Sequence, residues 1–149
     1  MQFEMTREER EAFLAEARVG FVSFARGDGG VLTVPLWYDY KPGGEVVIMM
    51  ERGSLKHRFL EKAPRFGICV QSEERPYRYV SAEGPVVSTG PLDEERELRH
   101  IARRYFGEAL GHAYADMSVA GLEGSDSSAI AVRMRPERWA SVDYRKRDG

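Results

Sequence analysis

The 149-residue sequence contains a single cysteine, Cys69, so no disulfide can form within the chain. Disulfide frameworks are typical of small secreted proteins, and a chain without one fits the reducing environment of the cytoplasm. Cys69 lies in the apolar run Phe66–Val70, which indicates a small buried side chain rather than a nucleophile.

Several other features are scarce. No apolar run approaches the length that spans a bilayer, and the polar segment Met1–Arg10 does not resemble a signal peptide. The net charge of -2 shows no basic excess, which argues against a nucleic-acid surface. At 149 residues the chain has the size of one domain, and we predict a single domain over residues 1–149.

The residues of hydrolytic and metal chemistry are also sparse. The three histidines, His57, His100 and His112, share no ligand spacing with one another or with Cys69, so no metal site is predicted. Serine, histidine and carboxylate residues show no triad-like arrangement, and the catalytic residues stay unidentified.

Short β-rich apolar runs dominate what is present. They predict strands over residues 19–24, 31–40, 45–50, 65–71, 77–88, 129–134 and 138–144. Gly- and Pro-rich turns join the first three runs into two successive hairpins, which indicates an antiparallel sheet. Several short strands with few helices favour a small closed barrel with peripheral helices, because closure removes exposed sheet edges.

Helices are predicted over residues 6–17, over 54–63, from Asp93 onward and near 111–120. Arg103 and Arg104 are interpreted as the solvated face of the third of these helices. Gly84-Pro85 suggests a bulge in the strand over 77–88. Pro35 cannot donate to a strand ladder, so it marks an edge, a bulge or a contact with something other than a strand.

The stretch from Met49 to Leu60 carries the clearest functional signal. Ser54 occupies an N-cap position, and Lys56, His57 and Arg58 follow in the first helical turn. Basic side chains oppose the helix dipole there, but they assist the backbone N–H groups when an anion binds. The alternative is an ordinary capped helix with solvated basic residues. Glu51 would weaken anion binding unless it pairs with Arg52 or Lys56.

Four segments in this order resemble the flavin-binding split-barrel superfamily around pyridoxamine 5'-phosphate oxidase, and in particular its branch that uses the deazaflavin coenzyme F420. They are Val34–Tyr38, Gly53-Ser54-x-Lys56-x-Arg58-x-Leu60, Pro76–Gly84, and Pro136–Trp139 with Asp143–Lys146. The resemblance implies a mainly β fold with peripheral helices, a six-stranded antiparallel split β-barrel. It also implies a homodimer with two cofactor sites at the subunit interface.

The resemblance further implies which residues bind the cofactor. Ser54, Lys56 and Arg58 would hold its phosphate. Pro35, Leu36 and Trp37 would lie against its ring system. The remaining implied contacts come from the neighbouring strand, with Met49 and Met50, and from the second subunit, with Tyr79 and Trp139.

Two classes of function follow from the resemblance. The first is an oxidoreductase that transfers a hydride from reduced coenzyme F420 to a small conjugated substrate, with an FMN-dependent reductase or oxidase-like enzyme as the alternative. The acidic tail of F420 favours that cofactor, because Arg52, Arg58 and Arg78 are available to bind it. The second class is a non-catalytic binder of flavin, F420 or haem.

Overall fold

The computed structural model describes residues 2–122 and 128–148, without the side chains of 119–122 and 148. The helices are α1 (Arg7–Ala15), α2 (Leu55–Lys62), α3 (Arg99–Phe106) and α4 (Glu108–Leu122), with a π-helical segment at Glu94–Leu98 and a 3-10 helix at Tyr144–Asp148. The strands are β1 (Gly20–Ala25), β2 (Val31–Leu36), β3 (Tyr38–Asp39), β4 (Val46–Glu51), β5 (Arg65–Gln71), β6 (Arg78–Pro91), β7 (Ala129–Met134) and β8 (Arg138–Asp143).

The strands form one curled antiparallel sheet in the order β2-β1-β5-β6-β7-β4-β3, and β8 also pairs with β6. The 14-residue strand β6 belongs to both halves of this sheet. Its first part pairs with β5 and β8, and its last part, Val86–Pro91, pairs with β7. We call β2, β1, β5, β8 and the first part of β6 the front sheet. The rear sheet is β3, β4, β7 and the last part of β6.

One hydrophobic core fills the space inside the curled sheet. Strand side chains alternate in direction, so every second residue of each strand points into this core. Helix α1 closes one end of the sheet with Phe13 and Leu14, and it begins with the predicted capping box of Thr6 and Glu9. The largest fully buried side chains of the core include Tyr38, Phe24, Leu14, Ile48, Ile68, Ile130 and Met134.

The structure corrects several details of the predicted fold. The sheet has eight strands among the described residues rather than six. The predicted strand over 31–40 breaks at Trp37, where the chain leaves the front sheet and enters the rear sheet. The register shift in β6 falls between Val86 and Ser88 rather than at Gly84. Gly84 instead permits a close backbone approach, because a Cβ there would lie 1.8 Å from the Arg135 carbonyl oxygen.

The two sheets differ on their outer faces. The π-helical segment and α3 cover the rear sheet, where Glu97 pairs with Arg133 and His100 lies 3.2 Å from Asp39, and α4 packs against both of these segments. The outer face of the front sheet carries no element of the described chain and leaves Phe21 and Val31 exposed. No helix among the described residues is long and apolar enough to cross a membrane.

Candidate functional site

The junction between β4 and α2 has the geometry that the sequence predicts. Gly53 turns the chain with a φ of 81°, a conformation that side chains disfavour. Ser54 is the N-cap, and its hydroxyl accepts a hydrogen bond from the His57 N–H at 3.3 Å. The Gly53 N–H donates to His57 Nδ1 at 2.9 Å. This cap leaves the first-turn N–H groups of Leu55 and Lys56 for another acceptor.

The positive charge at this junction is not neutralised by any described residue. Lys56 is half-buried and Arg58 exposed, and neither forms an ion pair within residues 2–122 and 128–148. Arg52 is likewise unpaired there. The carboxylate of Glu51 accepts a hydrogen bond from the Ser128 hydroxyl, so its pairing with Arg52 or Lys56 is not observed. Backbone donors and unpaired cations therefore meet at one place, which suits an anion.

The two methionines of β4 point to opposite sides of the sheet. Met50 belongs to the buried core and is 6% exposed. Met49 pairs with Ala131 and lies half-buried on the outer side of the rear sheet. Because alternate residues of a strand face opposite ways, the structure brings Met49, but not Met50, to the face shared with Glu51.

The segment Pro35–Trp37 is divided between two environments. Pro35 is exposed on the outer face of the front sheet, opposite Phe21 of β1, and Leu36 is half-buried. Trp37 stacks on Tyr105 of α3, with ring centroids 5.0 Å apart, and its edge meets Phe106. The Trp37 ring therefore packs against the helices that cover the rear sheet.

The anion cradle at Ser54 and Lys56 lies at one end of β4, and β3 pairs at the other end. Asp39 of β3 pairs with Val47, four residues before Glu51. At about 3.3 Å per residue the two places are roughly 13 Å apart along the strand. A ligand that joins a phosphate to a ring through a short carbon chain is long enough to reach both.

Tyr79 and Trp139 lie on the front sheet, away from β4. Tyr79 is exposed and pairs with Val142 of β8. Trp139 is half-buried, meets Tyr40 edge-on at 6.2 Å, and carries the guanidinium of Arg10 over its ring at 4.7 Å. Neither residue lies on β4, the strand that leads into the anion cradle.

A cavity of about 580 Å³ opens on the outer face of the front sheet. Its lining is mostly apolar or small and includes Phe21, Val31, Gly67, Cys69, Ser81 and Trp139. Cys69, predicted to be buried, is half-buried and lines this cavity; burial raises the pKa of its thiol, which disfavours the nucleophilic thiolate.

Arg78, a candidate from the sequence for binding the acidic tail of the cofactor, lies over the Phe13 ring. Its guanidinium carbon is 4.9 Å from the ring centroid.

The sequence did not indicate a polar cluster where α3 meets α1 and β3. The Tyr38 hydroxyl donates to the Leu14 carbonyl at 2.6 Å, and the Tyr105 hydroxyl donates to the Arg18 carbonyl at 2.7 Å. Burial raises the pKa of Tyr38 to about 12. Arg104, interpreted from sequence as solvated, donates to the Ala15 carbonyl at 2.6 Å. Because its partners are backbone groups distant in sequence, no local pattern predicts this contact.

Each histidine lies beside a different carboxylate. His57 lies 3.3 Å from Glu61, His112 lies 3.1 Å from Glu108, and His100 pairs with Asp39. Within the described part of the chain, no three His, Cys, Asp or Glu side chains converge as a metal site requires.

No family model matches the sequence, and no curated protein matches it. Solved structures do match. A conserved hypothetical protein of Mycobacterium tuberculosis has a TM-score of 0.78 at 22% identity, over 99% of this chain and 91% of its own. A protein described as an F420 reductase has a TM-score of 0.69 at 18% identity, over 87% and 94%. An FAD-binding protein of Mesorhizobium loti has a TM-score of 0.62 at 18% identity, over 92% and 94%.

At these identities the comparison establishes the fold. The chain shares the split-barrel fold of these proteins, mainly β with peripheral helices. The predicted fold class is therefore confirmed, although the strand count differs.

Proposed function

We propose that this protein is a homodimeric oxidoreductase that binds coenzyme F420 and reduces a small conjugated organic substrate. The observation that carries the proposal is the unneutralised anion cradle at the start of α2. Ser54 caps the helix there, and Lys56 and Arg58 have no described carboxylate partner. The fold of the chain is shared with a protein described as an F420 reductase, which supports the cofactor class.

The donor set of the cradle fits a phosphate group. The Ser54 oxygen accepts from His57, which leaves its O–H free to donate outward. Two backbone N–H groups and the Lys56 and Arg58 side chains add further donors. Met49, on the outer face of β4, and the segment around Pro35 would bound the ring, and Met50 is left out because it packs in the core. When bound, reduced F420 supplies the hydride.

The bare outer face of the front sheet is where we place the second subunit. Phe21, Val31 and Tyr79 are 46%, 60% and 37% exposed on this face. An apolar surface of this kind on one domain marks an interaction site. A second copy would cover it and exclude water, and Tyr79 and Trp139 of each copy would approach the cofactor of the other.

FMN is the second candidate cofactor, because it also joins a phosphate to a tricyclic ring. Arg52 and Arg58, both exposed and unpaired within the described chain, favour F420, since they can bind its additional acidic tail. An absorption spectrum of the purified protein with F420, FMN and haem added in turn identifies the cofactor. Turnover of a conjugated substrate with reduced cofactor then distinguishes an enzyme from a carrier.

The cradle is tested by Lys56→Ala. We expect the affinity for the phosphate-bearing cofactor to fall by about 1.5–3 kcal/mol, the range for a hydrogen bond to a charged group. Titration of cofactor absorbance measures the change. Lys62→Ala, an exposed lysine in the last turn of the same helix, is the matched control and should bind normally. If cofactor affinity is unchanged while the melting temperature drops, Lys56 has a structural role.

A further inference from the structure

Another cavity, lined by three arginines, shares Trp139 with the front-sheet cavity. It has a volume of about 300 Å³ and lies between α1, the turn before β4 and the turn before β8. Arg7 and Arg10 of α1, Tyr40, Gly43, Gly44, Arg135 and Trp139 line it, with Glu11 and Glu137. It does not include Ser54, Lys56 or Arg58, so it is separate from the cradle on α2.

The side chains that line this cavity carry one more positive charge than negative charge. Arg7 pairs with Glu11 at 3.3 Å, and Arg135 pairs with Glu137 at 3.1 Å. Arg10 has no carboxylate partner among the described residues. Three arginines and two glutamates therefore leave a net charge of +1, located on Arg10.

Arg10 is also held in place without being hydrogen-bonded. Its guanidinium lies over the Trp139 ring at 4.7 Å, a cation–π contact that fixes its plane. Its Nε is buried and has no hydrogen-bond partner. A buried donor without an acceptor is costly, and native structures rarely leave one. Arg104 also has a buried unpartnered Nε, but its terminal nitrogens donate to backbone carbonyls, whereas those of Arg10 have no acceptor among the described residues.

A carboxylate matches these unmet needs. Its two oxygens accept in parallel from the two terminal N–H groups of a guanidinium, which are the atoms that a ligand in the cavity can reach, so one ligand would neutralise the spare charge. Tyr40 supplies a second donor from the cavity wall. Burial raises the pKa of Tyr40, and Glu11 raises it further, so the phenol keeps its proton.

We propose that this cavity is a binding site for a small carboxylate, held by the Arg10 guanidinium on the Trp139 ring with the Tyr40 hydroxyl as a second donor. The volume of about 300 Å³ sets the size of the ligand, and the net charge of +1 favours a monoanion. The test of this site requires no cofactor.

Ligand binding at this site can be measured through the fluorescence of Trp139. The chain has two tryptophans, so Trp37→Phe leaves Trp139 as the sole tryptophan emitter. Sodium acetate is titrated into this variant at constant ionic strength, with sodium chloride as the reference. We expect a saturable change in Trp139 emission with acetate only. A response to acetate no larger than the response to chloride would overturn the proposal.

Paired arginine variants identify the ligand's contact. In the Trp37→Phe background, Arg10→Met should weaken acetate binding about tenfold or more, because a charged hydrogen-bond donor is lost. The double variant Arg7→Met/Glu11→Gln removes an ion pair of the same cavity, keeps the net charge of the lining at +1, and should leave affinity within about twofold. Equal weakening by both variants would show that affinity does not depend on Arg10 in particular and would overturn the assignment. Inorganic phosphate is the second probe, and tighter binding of phosphate than of acetate would overturn the carboxylate class.

A measurement on the unsubstituted protein covers the case in which Arg10→Met does not fold. The terminal N–H resonances of the Arg10 guanidinium, assigned by their absence in Arg10→Lys, should shift on addition of acetate, because these donors gain a partner. A resonance that does not move at saturating acetate contradicts the proposal.

Discussion

In both the front and the rear sheet, side chains alternate between the core and the outer face. The two outer faces differ in whether the chain covers them. On the rear sheet, Ala131 of β7 points outward and is fully buried, and α3 and α4 bury Ile101, Ala102 and Ala115 in the same layer. On the front sheet, Phe21 and Val31 point outward and stay exposed. The chain therefore covers one half of its barrel with its own helices and leaves the other half bare.

The two outer faces also differ in the polar contacts that join them to other parts of the chain. The rear layer is joined to the barrel by Tyr105, whose hydroxyl accepts from the Tyr38 N–H at 3.1 Å, and by ion pairs from both helical segments. The front face has no such joints among the described residues, and it has an apolar cavity instead. Its apolar side chains are explained if another protein surface, which we propose to be a second copy, covers them.

The largest effect is expected in the covered half. Ile101→Ala removes a side chain that is 1% exposed, and the cavity left behind should lower the free energy of unfolding by about 2–5 kcal/mol. Urea unfolding at fixed protein concentration measures the loss. Val31→Ala on the bare half should change it by no more than about 0.5 kcal/mol in dilute protein. Equal losses at both positions would remove the distinction between the two faces.

The next effect concerns association through the bare face. Phe21→Asp places a charge in the front-sheet cavity and should weaken the proposed dimer by roughly 2–4 kcal/mol, because each interface would bury two such charges. Sedimentation equilibrium gives the dissociation constant. Leu110→Asp, at an apolar position of α4 that is 68% exposed, is the control and should leave assembly intact. A dimer that survives Phe21→Asp but not Leu110→Asp would place the interface on the helices.

The smallest effect is expected at the Tyr38 hydroxyl, which joins β3 to the Leu14 carbonyl of α1. The folded pKa of Tyr38 is raised to about 12, so its contribution to stability is fully present below pH 10 and is lost as the pH rises toward 12. By pH 11 the loss from this residue should be roughly 1 kcal/mol. Urea unfolding of the unsubstituted protein and of Tyr38→Phe is measured from pH 9 to pH 11. The decline in the free energy of unfolding with pH should be smaller in Tyr38→Phe by this amount. An identical pH dependence in both proteins would show that Tyr38 does not titrate differently on folding.

The predictable parts of the fold depend on neighbours in sequence. The capping box of Thr6 and Glu9 and the cap at Ser54 were read correctly, because each hydrogen bond spans three residues. The break at Trp37 was missed, because β-rich residues continue through it and only the partner strand changes. Gly84 was assigned to a bulge, but its role depends on the Arg135 carbonyl, which lies 51 positions further along the sequence.

The candidate site divides in the same way. The cradle of Ser54, Lys56 and Arg58 is a single helical turn, so its spacing in the sequence is its spacing in space. Met50 could not be excluded from the site until the strand register showed which side of β4 faces the core. The Arg10–Trp139 pair joins residues at opposite ends of the chain, and no sequence pattern connects them.

The sequence alone was sufficient for most of the secondary structure, the barrel class and the charge at the start of α2, because these depend on periodicity and on groups within one turn of each other. Only the tertiary structure decided which sheet face is covered, which methionine faces outward and which arginine lacks a partner. These properties depend on which distant segments exclude water from a given atom, and burial of that kind is produced by packing.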